Sequence, residues 1–312
     1  MEIQWFPGHM AKAIKQLKEF LKHADAVIEV ADARIPGSSR NPELRAFAGK
    51  RPVILALNKP DLADPEATKA WIGYFSRQGQ PCVAVNGTTG EGIAELTRAL
   101  SAVVTRAEAR RPAGRPVRAL IVGIPNVGKS SIINRLARKA GARTGDKPGL
   151  TRGVMWIKLG GGIELLDTPG LMWPKIEEPG VGLKLAFTGA IDERVLDVIE
   201  VAWRLISRVE AEKPGAVTDR FQLDASALAG AGGHEAGGDR LDEGPEATRE
   251  AWALGLLRAI GQRRGCLVSG GEVDVEKAAG ILLKEFRDGR MGRLTMEWPP
   301  SAPLASDDGP NP

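Results

Sequence analysis

Gly123-Ile124-Pro125-Asn126-Val127-Gly128-Lys129-Ser130 lies between the apolar run Ala119-Leu120-Ile121-Val122 and the helix-forming stretch Lys129–Lys139. Strand, glycine loop, helix is the context in which a Gly-x-x-x-x-Gly-Lys-Ser pattern acquires chemical meaning. The glycines let backbone N–H groups close around an anion, and the following helix N-terminus adds partial positive charge. The stretch therefore predicts a phosphate loop, with Asn126, Val127, Gly128, Lys129, Ser130 and Ser131 as the expected phosphate contacts. Lys129 is expected to reach the terminal phosphates, and the Ser130 hydroxyl to ligate magnesium.

Downstream, Asp167-Thr168-Pro169-Gly170 follows the strand-like run Ile163-Glu164-Leu165-Leu166. A carboxylate at the end of a neighbouring strand is placed to hold magnesium, directly or through water. The Gly170 N–H is expected to face the terminal phosphate. Between the two motifs, Pro148-Gly149-Leu150-Thr151-Arg152-Gly153 reads as a loop whose Thr151 closes on magnesium when that phosphate is present.

Upstream, Asn58-Lys59-Pro60-Asp61 follows the run Val53–Leu57. A carboxylate at Asp61 can accept from guanine N1–H and from the exocyclic amino group, a donor pair adenine lacks. Hydrogen bonds to a charged group contribute about 1.5–3 kcal/mol each, enough to select the base. Asp61 has a second reading, as the N-cap of a helix over Leu62–Thr68. After the next strand, Val85-Asn86-Gly87-Thr88 is expected to bring Asn86 and Gly87 near the base.

The surrounding pattern is α/β. Candidate strands Val27–Ala31, Val53–Leu57, Cys82–Val85, Val117–Val122, Val154–Leu159 and Ile163–Leu166 alternate with helical stretches Glu43–Lys50, Pro65–Gln78, Ile93–Ala109 and Lys129–Lys139. Buried strands alternating with helices predict a mainly parallel sheet flanked by helices. Arg110–Pro116 reads as an exposed connector. Beyond about Gly180 the strand signals stop, and Ile191–Val209, Val217–Ala229, Pro245–Arg264 and Val273–Arg287 read as helices. Ala229–Gly244 is a glycine-rich loop by composition. The expected division is residues 1–177, 178–298 (all-helical) and a disordered tail, 299–312.

Composition narrows the class. At about 150 residues per domain, 312 residues suggest two domains. With 43% hydrophobic and 26% charged residues, wholesale disorder is excluded. No run approaches the roughly 18 apolar residues of a membrane span. Met1–Trp5 lacks the basic-then-apolar pattern of a secretory signal. Two cysteines, Cys82 and Cys266, are too few for a metal cluster or disulfide framework. These features lead to the expectation of a soluble cytoplasmic protein. The net charge of +4 divides into +11 over residues 1–177 and −7 over residues 178–312. The basic half favours a polyanionic partner.

The motif order is unusual, because Asn-Lys-x-Asp precedes the phosphate loop. In this the chain resembles the circularly permuted GTPases, and in particular those of the YlqF/RbgA type. The resemblance is carried by Gln4-Trp5-Phe6-Pro7-Gly8-His9-Met10-Ala11-Lys12, Asp32-Ala33-Arg34-Ile35-Pro36, Asp167–Trp173 and Phe286-Arg287-Asp288-Gly289. Where that type often has Ser-Ala-Lys, this chain has Asn86-Gly87-Thr88. The resemblance implies a monomeric protein, without membrane association, that binds GTP and GDP. It further implies that the protein hydrolyses GTP with Mg2+ and acts in large-ribosomal-subunit assembly, its helical domain touching rRNA. Because the chain runs from Asp167–Gly170 into the helical domain at Leu171–Gly180, nucleotide state is expected to reach that domain.

The position that carries a water-orienting Gln in Ras-type GTPases is Leu171 here, and an apolar side chain cannot hydrogen-bond water. The resemblance assigns that role to His9, with Trp5-Phe6 as its anchor. On residue type alone, a lone histidine is more often a surface or capping residue. Related GTPases bind potassium through an Asn in the phosphate loop, which would be Asn126; the alternative is a solvent-facing side chain. Lys12, Lys15, Lys18 and Lys22, spaced for one helix face, and Arg287, Arg290 and Arg293 are candidate RNA contacts. The alternative for both sets is solvated surface charge.

Overall fold

The computed structural model describes residues 7–108, 116–139, 156–160, 162–168, 170, 178–223 and 245–300. Its centre is a sheet of β1 (Ala26–Asp32), β2 (Val53–Asn58), β3 (Cys82–Val85), β4 (Val117–Val122), β5 (Trp156–Gly160) and β6 (Ile163–Asp167). The strand order is β3-β2-β1-β4-β6-β5. Every pairing is parallel except that of β5 with β6. The mainly parallel sheet read from the sequence is therefore the observed one.

Side chains alternate across the sheet, so each strand feeds two apolar layers. Ile28, Val30, Ile54, Ala56, Ala119, Ile121 and Leu165 face α4 (Ile93–Glu108) and α5 (Lys129–Lys139), meeting Leu96, Leu100, Ile132 and Ile133. On the opposite face Val27, Leu120, Val122 and Leu166 meet Leu17 and Leu21 of α1 (Pro7–His23) and Leu44 of α2 (Leu44–Ala48). Ala31, Leu55 and Leu57 meet Trp71 and Phe75 of α3 (Pro65–Arg77). Two covered faces explain why the strands read as continuous apolar runs.

The chain runs from β1 outward through β2 to β3, then crosses back to lay β4 on the other side of β1. Direction therefore reverses between β1 and β4, which makes the carboxyl edge there the expected ligand crevice. Loops after β1, β2, β3, β4 and β6 all leave from that edge.

The remainder is helical: α6 (Pro179–Phe187), α7 (Val198–Glu212), α8 (Ala216–Phe221), α9 (Glu246–Arg263) and α10 (Val275–Arg287). The single helix expected over Ile191–Val209 is divided. Asp192 caps a 3-10 turn at Glu193–Val195 by accepting from Arg194 N, and Asp197 caps α7 by accepting from Glu200 N. Two caps five residues apart start two elements. Helix α6 was not anticipated, because Gly180 and Gly182 mask its pattern. Helix α8 ends at Phe221, where Gln222 takes a left-handed conformation. The connector Arg110–Pro116 (apart from Pro116), the Thr151 loop, Leu171–Glu177, the loop Ala229–Gly244 and residues 301–312 lie outside the described residues.

The segment after α10 returns to the sheet and fastens the two parts. The Glu297 carboxylate accepts from the Gly37 N–H, from Ser38 N at 2.8 Å and Oγ at 2.5 Å, and from Lys184 Nζ at 2.8 Å. Trp71 Nε1 donates to the Glu297 carbonyl at 2.9 Å. Apolar packing is continuous as well, since one buried cluster runs from Ile121 to Leu185, Trp203 and Phe286.

Candidate nucleotide-binding site

The phosphate loop forms where β4 ends. Gly128 has φ 92°, and a Cβ there would lie 2.1 Å from Asn58 Nδ2, so only glycine fits. Gly123 is equally confined, since a Cβ would meet the Val30 carbonyl oxygen at 2.5 Å. Lys129 is buried, and its ammonium donates to the Gly123 and Ile124 carbonyls, each at 3.0 Å. Ser130 and Ser131 are exposed in the first turn of α5. That places the Ser130 hydroxyl at a helix N-terminus, where anions and their counter-cations gather.

Two residues at the end of β2 bind this loop to the base loop. Asn58 Nδ2 donates to the Val127 carbonyl at 2.6 Å, and Asn58 Oδ1 accepts from Gly87 N at 2.9 Å. Lys59 Nζ donates to the Asn126 carbonyl at 2.7 Å. Asn58 is thus the junction of three segments that are distant in sequence. The helix-cap alternative for Asp61 is resolved by α3, whose N-cap is Asp64, accepting from Ala67 N. Asp61 itself is exposed beside the loop.

The loop after β3 is held in place by its own bonds and by Asn58. The Asn86 carboxamide oxygen accepts from Thr88 N and Thr89 N, closing its own turn, and Gly87 N is engaged by Asn58. Gly87 thus braces Asn58, while Asn86 shapes the turn. On β6, Asp167 pairs with Ile121 across the ladder, one strand from the phosphate loop. Thr168 Oγ1 donates to the Ile121 carbonyl. A Cβ on Gly170 would stand 2.9 Å from Pro125 Cα, so Gly170 lies directly against the phosphate loop. Thr151 and the side chains of Asp167 and His9 lie outside the described residues; His9 falls in the first turn of α1. Among the described residues, no group of three His, Cys, Asp or Glu side chains could hold a metal ion.

Asn126 does not simply face solvent. Its Nδ2 donates to the Gly189 carbonyl, beyond α6, at 2.6 Å. The arginines offered as RNA contacts are also engaged within the chain. Arg287 donates to the Ala186 and Phe187 carbonyls and pairs with Glu193. Arg293 donates to the Pro60 and Ala63 carbonyls. These bonds tie α10 to α6, and the segment after α10 to the base loop. Arg290 lies 3.7 Å from Glu285 and 3.9 Å from Asp288. On α1, Lys18 stands over the Phe47 ring and Lys22 pairs with Glu19, while Lys15 is exposed.

Sequence reasoning assigned no role to Asp32 and Arg34, which form a buried pair at the end of β1. Arg34 Nε donates to Asp32 Oδ1 at 2.9 Å and Nη2 to Oδ2 at 2.8 Å. Lys59 Nζ lies 3.1 Å from the same carboxylate. Burial alone would raise the Asp32 pKa, but the Arg34 and Lys59 charges and the Arg34 hydrogen bonds outweigh it and hold it well below the usual carboxylate range. The available signal was an acid at the end of a strand, followed two residues later by an arginine.

A phosphate loop on β4, Asp167–Gly170 after β6 and Asn58–Asp61 after β2, all on one sheet edge but in permuted chain order, define a circularly permuted P-loop GTPase domain. Residues 118–219 match the family model described as "50S ribosome-binding GTPase". The chain is 44% identical over 305 residues to ribosome biogenesis GTPase A of Bacillus cereus, covering 96% of this chain and 95% of that one. It is 32% identical to the Thermotoga maritima protein of the same name, over 95% of each chain. The solved structure of GNP-bound YlqF from T. maritima superposes with a TM-score of 0.63 at 25% identity, covering 93% of this chain and all of that one. The chain belongs to the ribosome biogenesis GTPase A family.

Proposed function

We propose that the protein binds and hydrolyses GTP as an assembly factor for the large ribosomal subunit, with the GTP or GDP state controlling its association with the pre-ribosomal particle. The observation that carries this reading is the Asn58 junction, together with the Lys59–Asn126 bond. These bonds join base loop and phosphate loop at one sheet edge, with the exposed Asp61 carboxylate in the base loop. Membership of the family supports the ribosomal role.

In this reading Asp61 selects guanine, the phosphate-loop N–H groups and Lys129 hold the phosphates, and the Gly170 N–H faces the terminal one. The exposed Ser130 hydroxyl beside the Asp167 strand end fits a magnesium site, with Thr151 completing it. Magnesium would neutralise charge developing on the phosphates. Asn126 is the candidate potassium ligand, its carboxamide oxygen remaining after Nδ2 has bonded Gly189. His9 orients the attacking water.

Residues 1–177 form the GTPase domain, 178–298 the helical domain and 299–312 a tail. Lys12, Lys15, Lys18 and Lys22 on α1 are the rRNA-facing set, the opposite face being buried through Leu17 and Leu21. The protein works as a cytoplasmic monomer. Among the described residues no helix is long and apolar enough to cross a membrane. The test is sedimentation with purified subunits in GTP, GDP and a nonhydrolysable analogue. Co-migration with large subunits that depends on the nucleotide is expected; nucleotide-independent binding, or equal binding to small subunits, overturns the reading.

A further inference from the structure

Asp32 ends β1, the strand between the phosphate-loop strand β4 and the base-loop strand β2, and lies opposite Asn58 in the ladder. Its side chain and that of Arg34 are each only 1% exposed. One carboxylate thus serves two cations: Arg34, which binds it twice, and Lys59, whose Nζ is 3.1 Å away. The same Lys59 Nζ donates to the Asn126 carbonyl of the phosphate loop.

Lys59 also has φ 62°, a left-handed conformation that a residue with a Cβ adopts only when its surroundings hold it there. The holding groups are visible. From the strand side they are Asp32 and, through it, Arg34. Arg34 is fixed in turn by its guanidinium over the Phe286 ring, 5.4 Å from the centroid, and by its carbonyl, which accepts from Met296 N. The loop after Arg34 is braced too, because Ser39 Oγ accepts from Asp32 N and donates to the Ile35 carbonyl. Of these polar groups, it is the Lys59 ammonium that hydrogen-bonds the phosphate loop, at the Asn126 carbonyl.

We infer that Asp32 is a positioning residue of the guanine-nucleotide site: its carboxylate holds the Lys59 ammonium against the Asn126 carbonyl and so fixes the base loop to the phosphate loop before nucleotide arrives. The inference rests on reading Asn58–Asp61 as the guanine loop. Its physical content is preorganisation. A nucleotide bound at both ends needs the two loops at one fixed separation, and loops that must be ordered on binding lower the affinity. A purely structural Asp32–Arg34 pair would instead add stability without affecting nucleotide.

Asp32→Asn alone strands a buried guanidinium and is expected to destabilise the fold. The informative variant is therefore D32N/R34M, in which neutral side chains of similar size replace the pair. Fluorescent mant-GDP titrations would be run on the parent, K59M, D32N/R34M and the triple variant, with melting temperatures measured without nucleotide. K59M and D32N/R34M should each raise the Kd about tenfold, and the triple variant should match K59M within about twofold, because Asp32 acts through Lys59. A parent-like Kd in K59M, or losses that multiply in the triple variant, overturns the inference. Should D32N/R34M fail to fold, K59M still decides, since Asp32 has nothing to position if Lys59 is dispensable. Asp61→Asn, titrated alongside with GDP and xanthosine diphosphate, tests the guanine reading separately: unchanged base preference defeats that reading, whereas the coupling between Asp32 and Lys59 is judged by the cycle alone.

Discussion

Asn126 joins the phosphate loop to the helical domain: its Nδ2 donates to the Gly189 carbonyl at 2.6 Å, while its own backbone carbonyl accepts from Lys59. Asn126→Ala removes the first bond and leaves the second. An exposed hydrogen bond of this kind contributes about 0.5–1.5 kcal/mol, so the melting temperature should fall by about 2–4 °C. If the carboxamide oxygen also ligates potassium, the parent should hydrolyse GTP faster in potassium than in sodium at equal ionic strength, and the variant should not. Equal parental rates in the two salts would remove potassium from the site.

Base choice should reside in Asp61. Because Asp64 caps α3, the Asp61 carboxylate has no helix to stabilise, and replacing it should leave stability within about 0.5 kcal/mol. Asp61→Asn is expected to weaken GTP binding at least tenfold and to shift preference toward xanthine nucleotide, whose carbonyl can accept from the new amide. Competition binding checks this, and an unchanged preference for GTP sinks the assignment.

Lys129→Ala should abolish measurable hydrolysis while the protein remains folded. The ammonium donates to the Gly123 and Ile124 carbonyls, so its loss is expected to act locally, on the phosphate loop. Circular dichroism and single-turnover hydrolysis together decide. A folded variant with near-normal turnover would place the active site elsewhere.

The motifs were legible because each is a local string at a strand end: glycine spacing around Lys129, Asn58-Lys59-Pro60-Asp61 after an apolar run, Asp167 after another. Which groups those motifs engage was not legible. That Gly87 donates its N–H to Asn58, 29 residues earlier, cannot be read from the string. Arg293 reads as solvated charge until the chain folds it back on Pro60, 233 positions away. Positive charge near a C-terminus looks the same whether it meets RNA or a carbonyl. The break before α7 could have been found, since Asp197 followed three residues later by Glu200 is a helix-start signature. The Asp32–Lys59 pair could not, because strand order, which puts β1 beside β2 and β4, is a tertiary fact.

Arg293→Ala separates two roles for the basic residues. It removes two bonds to the base loop, so it should weaken GDP binding severalfold and lower stability by about 1–2 kcal/mol, with little dependence on salt. Lys15→Glu with Lys18→Glu should leave GDP binding unchanged and weaken large-subunit binding, steeply less so as salt rises. If Arg293→Ala weakens subunit binding in the same salt-dependent way with GDP affinity intact, its internal bonds are secondary and the arginine faces RNA.

Catalysis is the place where helix α1 connects the two surfaces. His9 lies in its first turn, while Leu17 and Leu21 bury the far end against the sheet, and Lys15, Lys18 and Lys22 occupy the exposed side. One helix thus carries both the proposed water-orienting residue and the lysines proposed to face RNA. Engagement of the lysines by a subunit would fix where the histidine sits. His9→Ala should therefore leave GTP affinity and subunit binding nearly unchanged. A positioned group of this kind contributes about 10²–10⁴-fold to a rate, and because Leu171 supplies no substitute, most of that loss should appear only with subunits present. Single-turnover hydrolysis with and without saturating large subunits measures it: the parent should be stimulated and His9→Ala should not. Equal stimulation of both proteins would make His9 a structural residue and leave the water to a group from the rRNA or to potassium at Asn126.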